Sequence, residues 1–136
     1  MTETMPGAAD RGTIIIADDH PLFRGALRQA VGGIFRDLRV VEAGSLEETT
    51  AALASEAEVD LLLLDLKMPG ANGFEGLAYL RGQYPDLPIV VVSASEEAAI
   101  IQQVLRLGAL GFIPKSVPMK ELVSALNTVI GGDNWV

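Results

Sequence analysis

The sequence predicts an α/β domain in which a doubly wound sheet of five parallel strands is flanked on both faces by five helices. Three observations carry that prediction. The run Leu61-Leu62-Leu63-Leu64 has no polar interruption, the pattern of a strand buried on both faces inside a parallel sheet. Short apolar runs of this kind alternate five times with segments of helical periodicity, joined by short connections. Single polar residues follow the apolar runs, at the edge where open α/β sheets bind ligands.

Residues 1–12 are small and polar and read as a flexible tail. Thr13 to Ala17 is β-branched and apolar, a buried first strand. It runs into Asp18-Asp19-His20-Pro21, and Pro21 is tolerated at the first turn of a helix. Phe23, Leu27, Ala30, Val31 and Ile34 then recur at helical spacing. Leu38 to Ala43 makes the second strand. Ser45 and Glu48 form a capping box for a helix running to about Ala57. Leu61 to Leu64 is the third strand, stopped by the turn-rich Lys67-Met68-Pro69-Gly70 and Ala71-Asn72-Gly73.

Phe74, Leu77, Ala78 and Leu80 mark a third helix, ended by Tyr84-Pro85 because proline disfavours helix in the residue before it. Pro88 to Ser93 is a fourth strand. Ser95 is placed to cap a helix through Ile100, Ile101, Val104 and Leu105 that stops at Gly108. Gly111 to Pro114 is a short fifth strand leading to Lys115. Met119, Leu122, Val123, Leu126, Val129 and Ile130 stripe the last helix, up to Gly131-Gly132. The domain is expected to span residues 13–131, and residues 132–136 read as the start of a linker.

Composition narrows the function. With 136 residues, the chain is one domain by size; at 49% apolar and 21% charged it is globular rather than disordered. Ten basic against 18 acidic residues give a net charge of −8, which repels nucleic-acid phosphates and makes direct DNA or RNA binding by this chain a poor expectation. The same charge suits a site that gathers a divalent cation. Having no cysteine excludes disulfides, thiolate metal sites and thiol catalysis. His20 is the only histidine, so a multi-histidine metal site is excluded, and its place favours a turn or capping role. No apolar segment approaches the length of a membrane span, and a soluble cytoplasmic protein is expected.

The chemistry sits at the strand ends. Asp18-Asp19 follow the first strand, Asp65 the third, Ser93 ends the fourth and Lys115 follows the fifth. In a doubly wound sheet the first and third strands are neighbours, so three carboxylates converge at like-charge cost. A hard cation such as Mg²⁺ removes that cost, since it favours carboxylates, waters and a phosphate oxygen. Lys115 adds a mobile positive charge and Ser93 a hydroxyl. A carboxylate beside Mg²⁺, with both groups to hold transferred oxygens, is what phosphoryl transfer to an aspartate needs.

Asp18-Asp19, Asp65-Leu66-Lys67-Met68-Pro69-Gly70, Ser93-Ala94 and Lys115 together resemble the signature set of bacterial two-component response-regulator receiver domains. The wording "DDHPLFR", "DLKMPGANGFEGL", "VVSAS" and "GALGFIPKS" is similar to the NarL/FixJ (LuxR-type) receivers that usually precede a DNA-binding helix-turn-helix. The resemblance implies the flavodoxin-like receiver fold, strand order 2-1-3-4-5. It implies a phosphorylation-activated switch in which Asp65 accepts a phosphoryl group from a sensor histidine kinase. Asp19 and Asp65 would ligate Mg²⁺ with the backbone carbonyl of Lys67, and Asp18 would act mainly through bound water. Lys115 and Ser93 would contact the phosphoryl oxygens, and Phe112 matches the switch aromatic. The expected output is transcription control through a DNA-binding domain outside this chain, with phosphorylation-dependent homodimerisation as a further partner mode. Enzymatic activity is not expected beyond self-phosphorylation from small phosphodonors and autodephosphorylation.

The sequence departs from the family pattern at three points. Phe112 stands where many relatives carry Tyr, so no phenolic hydrogen bond can hold an outward rotamer. Pro114 precedes Lys115 and Ser116 follows it, which puts a cis bond after the lysine in doubt. Lys67 occupies the position two after Asp65, where relatives set the autodephosphorylation rate. That same lysine argues against a haloacid-dehalogenase-like phosphatase, which needs a second acid there. A nucleotide or flavin binder would need a glycine-rich loop after the first strand, and Asp18-Asp19-His20-Pro21 is acidic and glycine-free. A receiver serving only as a docking or phosphate-sink module would carry the same site and stays open as the alternative.

Overall fold

The computed structural model describes residues 12–34, 39–56, 58–70 and 74–130. Five strands alternate with five helices: β1 Thr13–Ala17, α1 Pro21–Ile34, β2 Arg39–Ala43, α2 Leu46–Ser55, β3 Leu61–Leu64, α3 Phe74–Gln83, β4 Ile89–Ser93, α4 Ala98–Arg106, β5 Gly111–Pro114 and α5 Met119–Ile130. The strands form one parallel sheet in the order β2-β1-β3-β4-β5. This is the doubly wound architecture that the alternation predicts.

The alternation of side chains along each strand separates two cores. Ile15, Leu62, Leu64, Ile89, Val91 and Phe112 face one side, where they meet Leu53 of α2, Leu77 and Leu80 of α3 and Val104 of α4. Ile14, Ile16, Leu61, Leu63, Val90, Val92 and Ile113 face the other, against Leu27 and Val31 of α1 and Leu122 and Leu126 of α5. All four leucines of β3 are buried because each face of this central strand carries its own layer of helices. Burying each such side chain contributes about 1.5–3 kcal/mol.

Register sets the site. Ala17 is paired with Leu64, so β1 and β3 end level with each other. The Asp65 amide donates to the Ala17 carbonyl at 2.9 Å, and the Asp18 amide to Ala43 at 2.9 Å. Both aspartates are thereby fixed by the ladder at its last rung. The Lys115 amide donates to the Ser93 carbonyl at 2.8 Å, which ties the end of β5 to the same edge.

Local details amend three sequence expectations. Ser45 caps α2 by accepting the Glu48 amide at 3.1 Å, but Glu48 Oε1 returns to the Gly44 amide at 2.7 Å rather than to that of Ser45. Helix α2 ends at Ser55 with Glu56 as its cap, and Ala57 lies outside the described residues. Helix α4 starts at Ala98, and its cap Glu97 makes no side-chain cap bond. Ser95 is not that cap: its hydroxyl accepts the Glu97 amide at 3.4 Å, a local bond two residues on that competes with helix initiation. The expected tail at 1–11, the start of β2 at Leu38, the turn at 71–73 and the linker at 132–136 also lie outside the described residues. Gly108 ends α4 with φ +101, the left-handed geometry expected after a helix C-terminus. No cis peptide occurs among the described residues, so the Lys115–Ser116 bond is trans. No helix among them is long and apolar enough to cross a membrane.

Candidate functional site

The carboxyl ends of β1, β3 and β5 bring Asp18, Asp19, Asp65 and Lys115 together. Asp65 is only 2% exposed, at the floor of the cluster. One of its oxygens, Oδ1, accepts the Lys67 amide at 3.1 Å, and Oδ2 accepts the Lys115 ammonium at 3.2 Å. Asp18, equally buried, holds Lys115 Nζ at 2.7 Å through Oδ2. Its Oδ1 accepts the His20 amide at 2.8 Å, closing the turn into α1. Lys115 also lies 4.8 Å from the centre of the Phe23 ring, a cation–π contact that steadies its ammonium over the cluster.

Asp19 differs from its neighbours. Its Oδ1 is shielded from solvent yet accepts no hydrogen bond. A buried carboxylate oxygen without a donor is costly, and it faces two more carboxylates. With all three acids ionised and one lysine, the cluster keeps two negative charges. One divalent cation balances them, and the oxygen donors suit a hard ion.

Ser93 is buried at the end of β4, where its hydroxyl accepts the Ser95 amide at 3.2 Å. Lys67 is exposed, and only its amide touches Asp65 in these contacts. Phe112 is 2% exposed and packed in the core, paired with Val91.

Two residues join the site that sequence reasoning had left out of it. His20 does close a turn through its amide, but its ring Nδ1 also stands 2.9 Å from Asp18 Oδ1, 3.2 Å from Asp19 Oδ1 and 3.7 Å from Asp65 Oδ2. Its signal was present, as the only imidazole in the chain directly after two acids. Arg24 donates through NH1 to the Asp18 carbonyl at 2.6 Å and through Nε to Glu42 Oε1 at 2.7 Å, which holds the β1–α1 turn against β2. Arg28 adds a 2.8 Å contact to Glu42 Oε2. The hydrogen bonds from Arg28 and then Arg24 hold the Glu42 carboxyl below the ordinary glutamate range, against the opposing effect of burial.

Comparisons with known proteins agree with this geometry. Residues 14–127 match the family model described as response regulator receiver domain. The chain is similar to a glycerol metabolism activator of Pseudomonas putida, with 38% identity over 123 residues, covering 90% of this chain and 56% of that protein. It is similar to the nitrate/nitrite response regulator protein NarL of Escherichia coli K12, with 36% identity over 121 residues, covering 89% and 56%. The isolated receiver domain of RcsB from Salmonella enterica serovar Typhimurium, solved with the phosphomimetic BeF₃⁻, superposes with a TM-score of 0.83 at 27% identity, covering 92% of each chain. The chain therefore spans little more than half the length of the two regulators it matches. A family match over nearly the whole described domain, with the strand-end acids and lysine in one cluster, places this chain among the response regulator receiver domains of NarL/FixJ type.

Proposed function

We propose that Asp65 is the phosphoacceptor of a switch driven by a sensor histidine kinase. The observation that carries this reading is the position of Asp65: buried at the end of β3, with Lys115 at 3.2 Å and two further carboxylates beside it. A carboxylate oxygen of Asp65 forms the new bond to phosphorus as the bond from phosphorus to the donor's imidazole nitrogen breaks. The released imidazole keeps the electron pair and takes up a proton.

Asp18, Asp19 and Asp65 are the residues that would hold Mg²⁺, with the Lys67 carbonyl as a further ligand, and the ion would neutralise charge on the transferred oxygens. Asp19 Oδ1, shielded from solvent and without a hydrogen bond, supports this assignment. Lys115, tethered by Asp18, is within reach to follow one phosphoryl oxygen. The Ser93 hydroxyl, here an acceptor of the Ser95 amide, turns to donate to another, while Phe112 is already packed inward. The two-state equilibrium so biased would be read by a partner surface.

The relatives' greater length supports a receiver half coupled to an output domain elsewhere in the full-length protein. By analogy with the RcsB–DNA complex, that output would be DNA binding and transcription control, in the cytoplasm, with phosphorylation-dependent pairing of receivers. This acidic chain itself would not touch the nucleic acid.

The test is a beryllofluoride titration in the presence of Mg²⁺, followed by NMR. Shifts at Ser93, Phe112 and Lys115 in the wild type, absent in Asp65→Asn, are expected. Equal responses from both proteins would refute the assignment.

A further inference from the structure

The amino edge of the sheet, opposite Asp65, holds a second concavity. Val59 and Leu87 stand two residues before β3 and β4, and beside them a cavity of about 380 Å³ opens between the carboxyl ends of α2 and α3. That size lies within the range of roughly 300–1,000 Å³ found for small-molecule sites. Leu53 and Leu87, each 7% exposed, line it together with the half-buried Val59 and Tyr84, which pack on the same core. The cavity therefore offers apolar surface continuous with the protein interior.

The charged part of the lining has one sign. Glu56 and Asp86 are carboxylates, and none of the residues lining the cavity is basic. Glu56 is paired with Arg39 of β2 at 3.0 Å, whereas Asp86 lies exposed in the turn before β4. Glu56 caps the end of α2 and Gln83 is the last residue of α3, so the negative ends of two helix dipoles meet at the cavity. Tyr84 adds an aromatic ring, a surface that attracts cations. Such a lining repels anions. It does not suit a bare metal ion either, since Glu56 and Asp86 belong to no group of three possible ligands among the described residues. An organic cation with an apolar stem satisfies both halves of it.

The wall is shaped before any ligand arrives. Arg81 donates through Nη2 to the Pro85 carbonyl at 2.6 Å and through Nη1 to the Leu87 carbonyl, and the Leu87 amide donates to the Tyr84 carbonyl at 3.1 Å. Arg81 is itself confined by Gly108, where an added Cβ would stand 2.9 Å from its Nε. The turn that carries Tyr84, Asp86 and Leu87 is thus held in place, which removes an ordering cost from binding.

We propose that this cavity binds a small organic cation, an ammonium or guanidinium carried on an aromatic or branched aliphatic stem. The charge lies beside Asp86, and the stem lies against Leu53, Val59, Tyr84 and Leu87.

The probes are 2-phenylethylamine, its neutral counterpart 2-phenylethanol and the anion 3-phenylpropionate, each titrated to tens of millimolar and followed by ¹H–¹⁵N NMR. The amine is expected to give saturable shifts at the Val59, Tyr84, Asp86 and Leu87 amides. The alcohol should bind there about threefold more weakly or worse, and the carboxylate not at all. Asp86→Asn should remove most of the preference for the amine and leave the alcohol unchanged; Asp86 is exposed, so the variant keeps the fold. Equal affinity of amine and alcohol for the wild type overturns the proposal, by showing an apolar groove indifferent to charge. Amine shifts confined to the strand ends around Asp18, Asp19 and Asp65, or no saturable shift at all, overturn it too. An undiminished preference in Asp86→Asn overturns the placement of the charge. None of these outcomes depends on Asp65 being a phosphoacceptor.

Discussion

Lys115 Nζ sits 2.7 Å from Asp18 Oδ2, a contact between residues 97 positions apart that joins the ends of β1 and β5 across the sheet. Both side chains are largely buried, at 14% and 3% exposure, so the pair is not a solvated surface bridge. Removing the lysine leaves Asp18 and Asp65 facing each other with no compensating charge. Lys115→Met is therefore expected to lower the unfolding free energy by about 3 kcal/mol in chelator. Mg²⁺ should restore a larger share of stability to the variant than it adds to the wild type, read as denaturant midpoints with and without the ion.

Glu42 gives a pH signature. Its carboxyl is held low by Arg28 and Arg24, so the stabilisation it provides is complete above the ordinary glutamate value, about 4.3. That contribution fades as the pH falls below this value and through the lower folded one. Glu42→Gln should cost about 1 kcal/mol at pH 7 and progressively less in acid. Parallel stability curves for the two proteins down to strongly acid pH would contradict this account.

The loop after Asp65 is anchored by backbone geometry. Gly70 adopts φ +84, and an added Cβ would stand 3.2 Å from Leu46 Cβ, next to the bond from the Leu46 amide to the Pro69 carbonyl at 2.9 Å. Gly70→Ala is expected to destabilise the domain by about 1–2 kcal/mol, the cost of the left-handed conformation for a side-chain-bearing residue. Thermal unfolding measures it, and a shift within error of zero would show that the turn relaxes freely.

The fold was legible because its signals are local. Four consecutive leucines mark a strand covered on both sides, and the Ser45–Glu48 spacing marks the start of α2. Asp18, Asp65, Ser93 and Lys115 were visible as polar residues ending apolar runs. The start of α4 was read too early because Ser95 is of a capping residue type and Glu97, the residue that precedes the helix, is not. The ring of His20 was assigned to a turn because its contacts with Asp65 and Lys115 join residues 45 and 95 positions away. Arg24 was missed because its partners, the Asp18 carbonyl just past β1 and Glu42 on β2, meet it only once the two strands pair.

Lys67 is exposed beside Asp65, with only its amide bound to the carboxylate. Its side chain is free to lie over a phosphoryl group and obstruct attacking water. Lys67→Ala should shorten the aspartyl-phosphate lifetime severalfold, measured by loss of phosphorylated protein after removal of the donor. An unchanged half-life would remove Lys67 from the site.

The most direct test of the phosphoacceptor assignment is intact-mass spectrometry after incubation with acetyl phosphate, with and without Mg²⁺, on wild type and Asp65→Asn. The expected result is one added phosphoryl mass that requires Mg²⁺ and is lost in the variant. The same adduct on Asp65→Asn, or an adduct indifferent to Mg²⁺, would contradict the assignment of Asp65 and its acidic neighbours.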